Sequence, residues 1–199
     1  MIRIGIDPSM KSTGVCIWNT ETGSHEYWLI VNKVPNKTRK MLSPDNNDLH
    51  IIDYKSLPFN NLKSYEKERV KTHNVMRVID AINLILIPLG RLSRCCQFQC
   101  EVIIEAIAFQ ANGVIDQLSG LNYMIRNSAI DCFGIESLYV IPPTSIKAKS
   151  VGDGGANKDM MIDAWLDVEP NMRKYVGNVK LDDLADAYFM SHFPLDGEK

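Results

Sequence analysis

Apolar and polar positions alternate almost from the first residue, and three strand-like segments follow in quick succession: Ile2 to Ile6, Gly14 to Trp18 and Glu26 to Val34. Thr22, Gly23 and Ser24 supply turn chemistry between the last two, so the chain opens as an antiparallel three-strand unit. Residues 35 to 63 then lose any sustained period and are rich in Pro and Asn; they read as a loop-like insertion, longer than most connections inside a compact domain.

The period changes from Ser64 onward. Val75, Val78, Ile79, Ile82 and Leu86 recur every three or four residues, which predicts a helix ended by Pro88 and Gly90. Glu101 to Glu105 is continuously apolar between its two acids, as in a strand buried on both faces. A second helix is expected from Val114 to Cys132, with Val114, Leu118, Leu121, Ile125 and Ala129 as its apolar stripe and a candidate dimer surface. Leu138 to Ile141 reads as another buried strand, stopped by Pro142 and Pro143, and helices are expected at Asn157 to Val168 and Leu181 to His192. The predicted order β-β-β-α-β-α-β-α-α gives an α/β fold: a mixed five-stranded sheet, three antiparallel strands then two parallel, flanked by helices in one domain of 199 residues.

Composition narrows the class without naming a function. Apolar residues make up 45% and charged residues 23%, the balance of a globular chain, and the net charge of −2 leaves any nucleic-acid contact to local basic patches. No apolar run approaches the roughly 20 residues of a bilayer span, and the N-terminus enters a strand pattern at once, so an intracellular, cytoplasmic protein with no membrane partner is expected. Five cysteines, an odd number, fit reduced thiols, and the CCxxxC of Cys95, Cys96 and Cys100 lacks a second pair of zinc ligands.

The chemistry-bearing residues are acids at element ends. Asp7 follows the first strand and Glu105 closes the buried strand, where open α/β sheets place their sites. Two carboxylates on neighbouring strand ends repel unless a cation lies between them. Asp183 and Asp186 are three apart on a predicted helix and share one of its faces. Such an oxygen-rich set suits magnesium or manganese, and two hard cations together clamp the attacking and leaving oxygens of a phosphodiester displacement. Taken singly, each acid also has an ordinary reading: a turn former at Asp7, and residues favouring a helix N-terminus at Asp182, Asp183 and Asp186.

The ordered set Gly5-Ile6-Asp7-Pro8, Val102-Ile103-Ile104-Glu105, the stretch Lys147 to Lys158, and Asp183-Leu184-Ala185-Asp186-Ala187 resembles the RuvC-like Holliday junction resolvases, phage and viral members included. The resemblance covers about two-thirds of the chain. It implies a ribonuclease-H-like fold and a homodimer making paired, Mg²⁺-dependent nicks in a four-way DNA junction, with two ions per active site and Mn²⁺ as a substitute. Asp7, Glu105, Asp183 and Asp186 would be the metal-binding catalytic acids, Asp183 rather than its neighbour Asp182 matching the motif. Lys147 and Lys158 match lysines placed around a glycine turn, with Lys158 counted in the catalytic set and Lys147, Lys149 and Lys158 facing DNA. An aromatic residue expected soon after the strand glutamate falls at Phe109, one position late, as a stacking group at the junction. Around the start of the insertion, Lys33, Lys37, Arg39 and Lys40 form a basic stretch that would add phosphate contacts. For a phage-encoded chain the compartment would be the host cytoplasm.

Three other readings stay open at the sequence level. One is a nuclease of the same fold with broader choice among flaps, forks and other branched DNA. Another is a junction-binding protein without catalysis. The third is a fragment of an actin-like ATPase or sugar kinase, whose first phosphate loop resembles Gly5 to Gly14; that class needs a second lobe which this length does not provide.

Overall fold

The computed structural model describes residues 1–34, 48–58, 62–107 and 115–195. Among these residues six strands form one sheet: β1 (Ile2–Asp7), β2 (Ser12–Asn19), β3 (His25–Val31), β4 (Leu49–Asp53), β5 (Cys100–Glu105) and β6 (Leu138–Ile141), ordered β4-β3-β2-β1-β5-β6. β1, β2 and β3 pair antiparallel; β4 joins β3, β5 joins β1 and β6 joins β5 in parallel. The α/β fold with antiparallel and parallel halves is as the sequence predicts, with one strand more than the five expected. The sixth, β4, lies inside the stretch read as a loop-like insertion, where the short run Leu49-His50-Ile51-Ile52-Asp53 follows Pro- and Asn-rich chain that carries no period.

The helices are α1 (Ser64–Cys96), α2 (Ile115–Phe133), α3 (Pro143–Val151), α4 (Lys158–Val168) and α5 (Asp182–Ser191), with short 3₁₀ turns at Ile135–Ser137 and Pro170–Tyr175. α1 does not end at Pro88 and Gly90 but runs on to Cys96. Pro88 and Leu84 are both exposed, so the Leu84 carbonyl that loses its amide partner lies on the side of the helix that solvent can reach. Gly90 is buried against Cys132 of α2; a Cβ there would lie 3.0 Å from the Cys132 Cβ and backbone oxygen. The glycine is thus a site of close helix approach rather than a stop. α3 is a helix that the proline pair conceals: Pro143 occupies its first turn, where the missing amide costs nothing and the fixed φ favours the helix, with Pro142 as the capping residue.

Side-chain parity sorts the sheet into two faces. Ile4, Ile6, Val15, Ile17, Ile30, Val102 and Ile104 pack with α1 and α2 in one core. The alternate positions Cys16, Tyr27, Leu29 and Leu49 meet α4 and α5 in a second, whose centre is the fully buried Trp165. Gly5 and Gly14 belong to this second face. An added Cβ would sit 2.0 Å from the Ala187 carbonyl oxygen at Gly5, and 2.0 Å from the Asp183 carbonyl oxygen at Gly14. The two glycines let α5 rest with its backbone directly on β1 and β2, and this seating fixes where its acids stand.

Candidate active site

Strand direction brings the carboxylates to one edge. β1 and β5 run parallel with Ile6 level with Ile104, so their C-terminal residues Asp7 and Glu105 end side by side. By parity both project toward α5, because Ile6 and Ile104 point into the opposite core. Glu105 shares a side-chain hydrogen bond with Asp7, and Asp183 and Asp186 of α5 lie near enough to act on both by charge.

Burial and mutual repulsion make this cluster costly. Asp7 is held well above the usual carboxylate range, first by loss of water and then by Glu105, Asp183 and Asp186. Glu105 is pushed up to about 7 by burial and then by Asp186, with Lys147 pulling the other way. Asp186 is pushed up to about 6 by burial and by Asp183, against Lys147 and Lys158. Asp183 is raised by burial, although Lys180 opposes it. Four carboxyls that resist ionisation at one buried sheet edge are an arrangement that a bound cation would relieve.

One cation is built in. Lys180, just before α5, places its Nζ 2.7 and 2.8 Å from the two oxygens of Asp183 and 3.6 Å from Asp182 Oδ2, and it also favours ionised Asp7. Sequence reasoning missed this residue; its position three before Asp183 was the available signal, since that spacing brings an ammonium back over the first turn. No group of three His, Cys, Asp or Glu side chains among the described residues forms a ready cage for an ion. The donors nevertheless fit a hard divalent cation in type, all being carboxylate oxygens, and the ammonium on Asp183 shows that positive charge is accommodated there.

Asp182, adjacent in sequence, has a different role. Burial pushes its pKa up, but the hydrogen bond from Lys158 and the charge of Lys180 bring it below the usual value. Asp182 is thus the partner of Lys158, and it is Asp183 that faces Asp7. Lys158 begins α4 with Asn157 as its cap, the Asn157 oxygen accepting the Met160 N–H at 3.0 Å, and most of the lysine stem remains exposed. Lys147 on α3 lies within electrostatic reach of Glu105 and Asp186. Lys149 is exposed and lines a different cleft, with Phe189, His192 and Phe193. Lys33 is exposed beyond β3, whereas Phe109, Lys37, Arg39 and Lys40 lie outside the described residues.

At the C-terminus of α5 a positive charge is ordinarily favoured, yet at His192 burial together with His25 and Arg3 lowers the pKa to about 4, so the side chain is neutral. Its ring stacks between Trp18 and Tyr188 at 3.9 and 4.1 Å, and His25 bridges it to Glu169. The indoles differ from one another too: Trp165 is core, whereas Trp18 and Trp28 are half-buried against His192 and His50.

No protein-family profile and no curated protein sequence matches this chain. Solved structures do match it. The Thermus thermophilus RuvC structure aligns at 15% identity and a TM-score of 0.50, over 96% of this chain and 91% of that one. A structure of T. thermophilus RuvC in complex with Holliday junction substrate aligns at 14% identity and the same TM-score, over 96% of this chain and 90% of the other. The chain therefore has the fold of these structures, the ribonuclease-H-like arrangement expected from its sequence.

Proposed function

We propose that this protein is a metal-dependent endodeoxyribonuclease that resolves four-way DNA junctions by hydrolysing phosphodiester bonds. The observation that carries the reading is the gathering of Asp7, Glu105, Asp183 and Asp186 at one sheet edge, with cationic Lys180 among them, in the fold of a protein solved with a Holliday junction. Asp7, Glu105, Asp183 and Asp186 would hold Mg²⁺, as two ions per site with Mn²⁺ able to substitute. When bound, the metal would supply Lewis-acid stabilisation of the phosphoryl oxygens and lower the pKa of the attacking water.

The protein's own groups do the rest. The rigid seating of α5 on Gly5 and Gly14 holds Asp183 and Asp186 against Asp7, which keeps the acids in fixed register for an in-line displacement. Lys147 and Lys158 flank the acids on helices outside the sheet edge and offer charge to the phosphates of the bound strand. Lys158, held by Asp182, is positioned to stabilise charge building on the phosphate during cleavage. Lys149, Lys33, Lys37, Arg39, Lys40 and Phe109 would extend the DNA contact beyond the cut.

Paired nicking needs two sites, and a homodimer would provide them. α1 exposes Leu84, Ile87 and Leu92 at 68%, 40% and 51%, and α2 exposes Tyr123 at 64%; these apolar residues favour a surface involving both helices rather than α2 alone. Among the described residues no helix is long and apolar enough to cross a membrane.

The test is cleavage of a synthetic four-way junction beside linear duplex, flap and fork DNA of matched sequence, with Mg²⁺, Mn²⁺ or chelator, by wild type and Asp7→Asn. Symmetric nicks in the junction alone, lost in Asp7→Asn while binding persists, are expected. Equal cutting of flaps and forks would replace the junction by branched DNA in general, and no metal-dependent cutting of any DNA would overturn the nuclease reading.

A further inference from the structure

Beside the acids, at the same edge of the sheet, lies a cavity of about 520 Å³ that the proposed hydrolysis does not use. It is lined by Met10, Leu29, Val31, Val34, Ile51 and Val179, with Ser12, Asn32, Asn178 and the lysines 11, 33 and 180 also in its wall. Chain geometry explains why it opens here. β2 runs opposite to β1, so its first residue, Ser12, stands at the same edge as Asp7, and Ser12 pairs with Val31 at the end of β3. Parity then turns Leu29, Val31 and Ile51 toward α5, as it turns Asp7 and Glu105. α4 and α5 cover this face over Tyr27, Leu29 and Leu49, and Val31 and Ile51 are left only partly buried at the margin.

Lys180 joins the cavity to the acids. It lines the cavity while its ammonium sits 2.7 Å from Asp183, so one side chain forms the wall between the two. Ser12 is buried at the same boundary. The volume falls in the range of clefts that hold small organic ligands, and the composition is of that kind: apolar walls with a few polar groups at the rim. Asn32 is fixed there by accepting the Ser56 N–H at 2.8 Å through its Oδ1.

We propose that this cavity receives one unstacked nucleobase of the DNA strand, next to the phosphate held at the acids, and so sets the base preference of the cut. The proposal rests on the nuclease reading above for its DNA source. The apolar walls match the faces of a base, the rim amides match its polar edge, and Lys11, Lys33 and Lys180 match the flanking phosphates in charge. The backbone of an intact duplex presents only sugar and phosphate to such a hollow, which leaves the apolar walls unmatched. Extruding a base has a cost that is least where stacking is already interrupted, as at a branch point. A recess directly beside the acids, roomy enough for a base together with its sugar, therefore favours branched over continuous DNA as well as one base over another.

Two measurements test this. The first follows cleavage of junctions in which each nucleotide flanking the cut is replaced in turn by an abasic residue. Wild type is expected to slow roughly tenfold at one position and not at the others. Ile51→Trp and Asn32→Trp, which narrow the cavity from an edge strand and from its exposed rim, are expected to lower the rate on the intact junction toward the rate on that abasic junction and to be nearly indifferent to the abasic change. The second titrates deoxynucleoside 5′-monophosphates into the metal-free protein, followed by NMR, with saturable shifts expected in wild type and lost in Asn32→Trp. A wild type that cuts equally fast with every flanking base removed would overturn the proposal. If the protein cuts no DNA, the nuclease reading fails by itself and the titration decides the cavity: saturable nucleotide binding lost in Asn32→Trp sustains a nucleobase site, and no binding overturns it.

Discussion

Gly14→Ala is a single methyl group placed between a strand and a helix backbone, and the geometry fixes its consequence. The added Cβ would lie 2.0 Å from the Asp183 carbonyl oxygen, 2.5 Å from the carbon and 3.1 Å from the Leu184 nitrogen. Ordinary contact needs roughly 3.5 Å, so α5 must retreat by more than about 1 Å, and no flexible side chain is available to absorb the overlap. The retreat opens gaps along Leu184, Ala185, Ala187 and Met190, all fully buried. Overpacking of a core costs about 1–3 kcal/mol, and backbone meeting backbone belongs at the upper end, about 3 kcal/mol. For a domain of this size that lowers Tm by roughly 6–12 °C. Gly120→Ala is the control: a Cβ there meets nothing within 4 Å and the site is inside α2, so it is expected to stabilise by about 0.5–1 kcal/mol. Urea unfolding of the three proteins compares them directly. A Gly14→Ala midpoint equal to that of wild type would refute the argument that α5 rests on bare strand backbone. On the nuclease reading, moving Asp183 by about 1 Å also costs on the order of 10²-fold in cleavage rate.

Three further outcomes follow from the same structure. Asp186 is held at about 6, above its ordinary 3.8, so between these values the folded state binds more protons than the unfolded one and its contribution to stability falls as pH rises through that window. In chelator, Asp186→Asn is therefore expected to gain on wild type from pH 4 to pH 7, a difference that also cancels the opposing titration of His192; a pH-independent gap between the two unfolding midpoints would contradict the charge crowding. Arg3 is buried and its Nε meets Glu101 at 2.7 Å, so Glu101→Ala removes that carboxylate while the guanidinium keeps its contacts with the Phe193 carbonyl and the Trp18 ring; the change is expected to cost about 2 kcal/mol, most of it recovered in the double variant Arg3→Met, Glu101→Leu when measured by denaturant unfolding. Pro88→Ala restores an amide inside α1 and is expected to raise stability by about 1–2 kcal/mol, less than the full helix penalty of proline because the freer unfolded chain offsets part of it; an unchanged or lowered Tm would show that the helix gains from the proline.

What the sequence makes legible follows from the range of the forces involved. Alternation places β1, β2 and β3 within a few residues, and short continuous apolar runs place β5 and β6, because a strand buried on one face or on both carries its pattern in the chain itself. Local signals fail where tertiary contact decides. Nothing near Leu49 reveals that β3 awaits an edge partner, and Pro88 reads as a stop because its exposure is set by α2 and the sheet, far away in sequence. Pro143 reads as a stop for a different reason: a proline that ends one element and a proline that begins the next look alike in one dimension. The acids Asp7, Glu105, Asp183 and Asp186 are legible as a set, and the structure brings them to one edge. Lys180 is legible only in its spacing of three from Asp183, and the ion pair itself depends on the start of α5 bringing the two together. His192 misleads because a helix C-terminus favours a proton only where water reaches it, and here Trp18 and Tyr188 enclose the ring.

The order in which the acids occur along the chain bears on synthesis. Asp7 precedes Glu105 along the chain, and Asp183 and Asp186 follow on α5, so a growing chain that stops short of α5 carries at most half of the cluster and cannot close it. β1 meanwhile finds β2 at once but waits for β5 before its second edge is paired. The crowded carboxyls thus come together only when α5 docks, in the same step that completes the second core through Leu184, Ala185 and Ala187, so the burial that opposes their repulsion arrives with them. A growing chain that still lacks α5 is spared both the electrostatic burden of the site and any activity that comes with it.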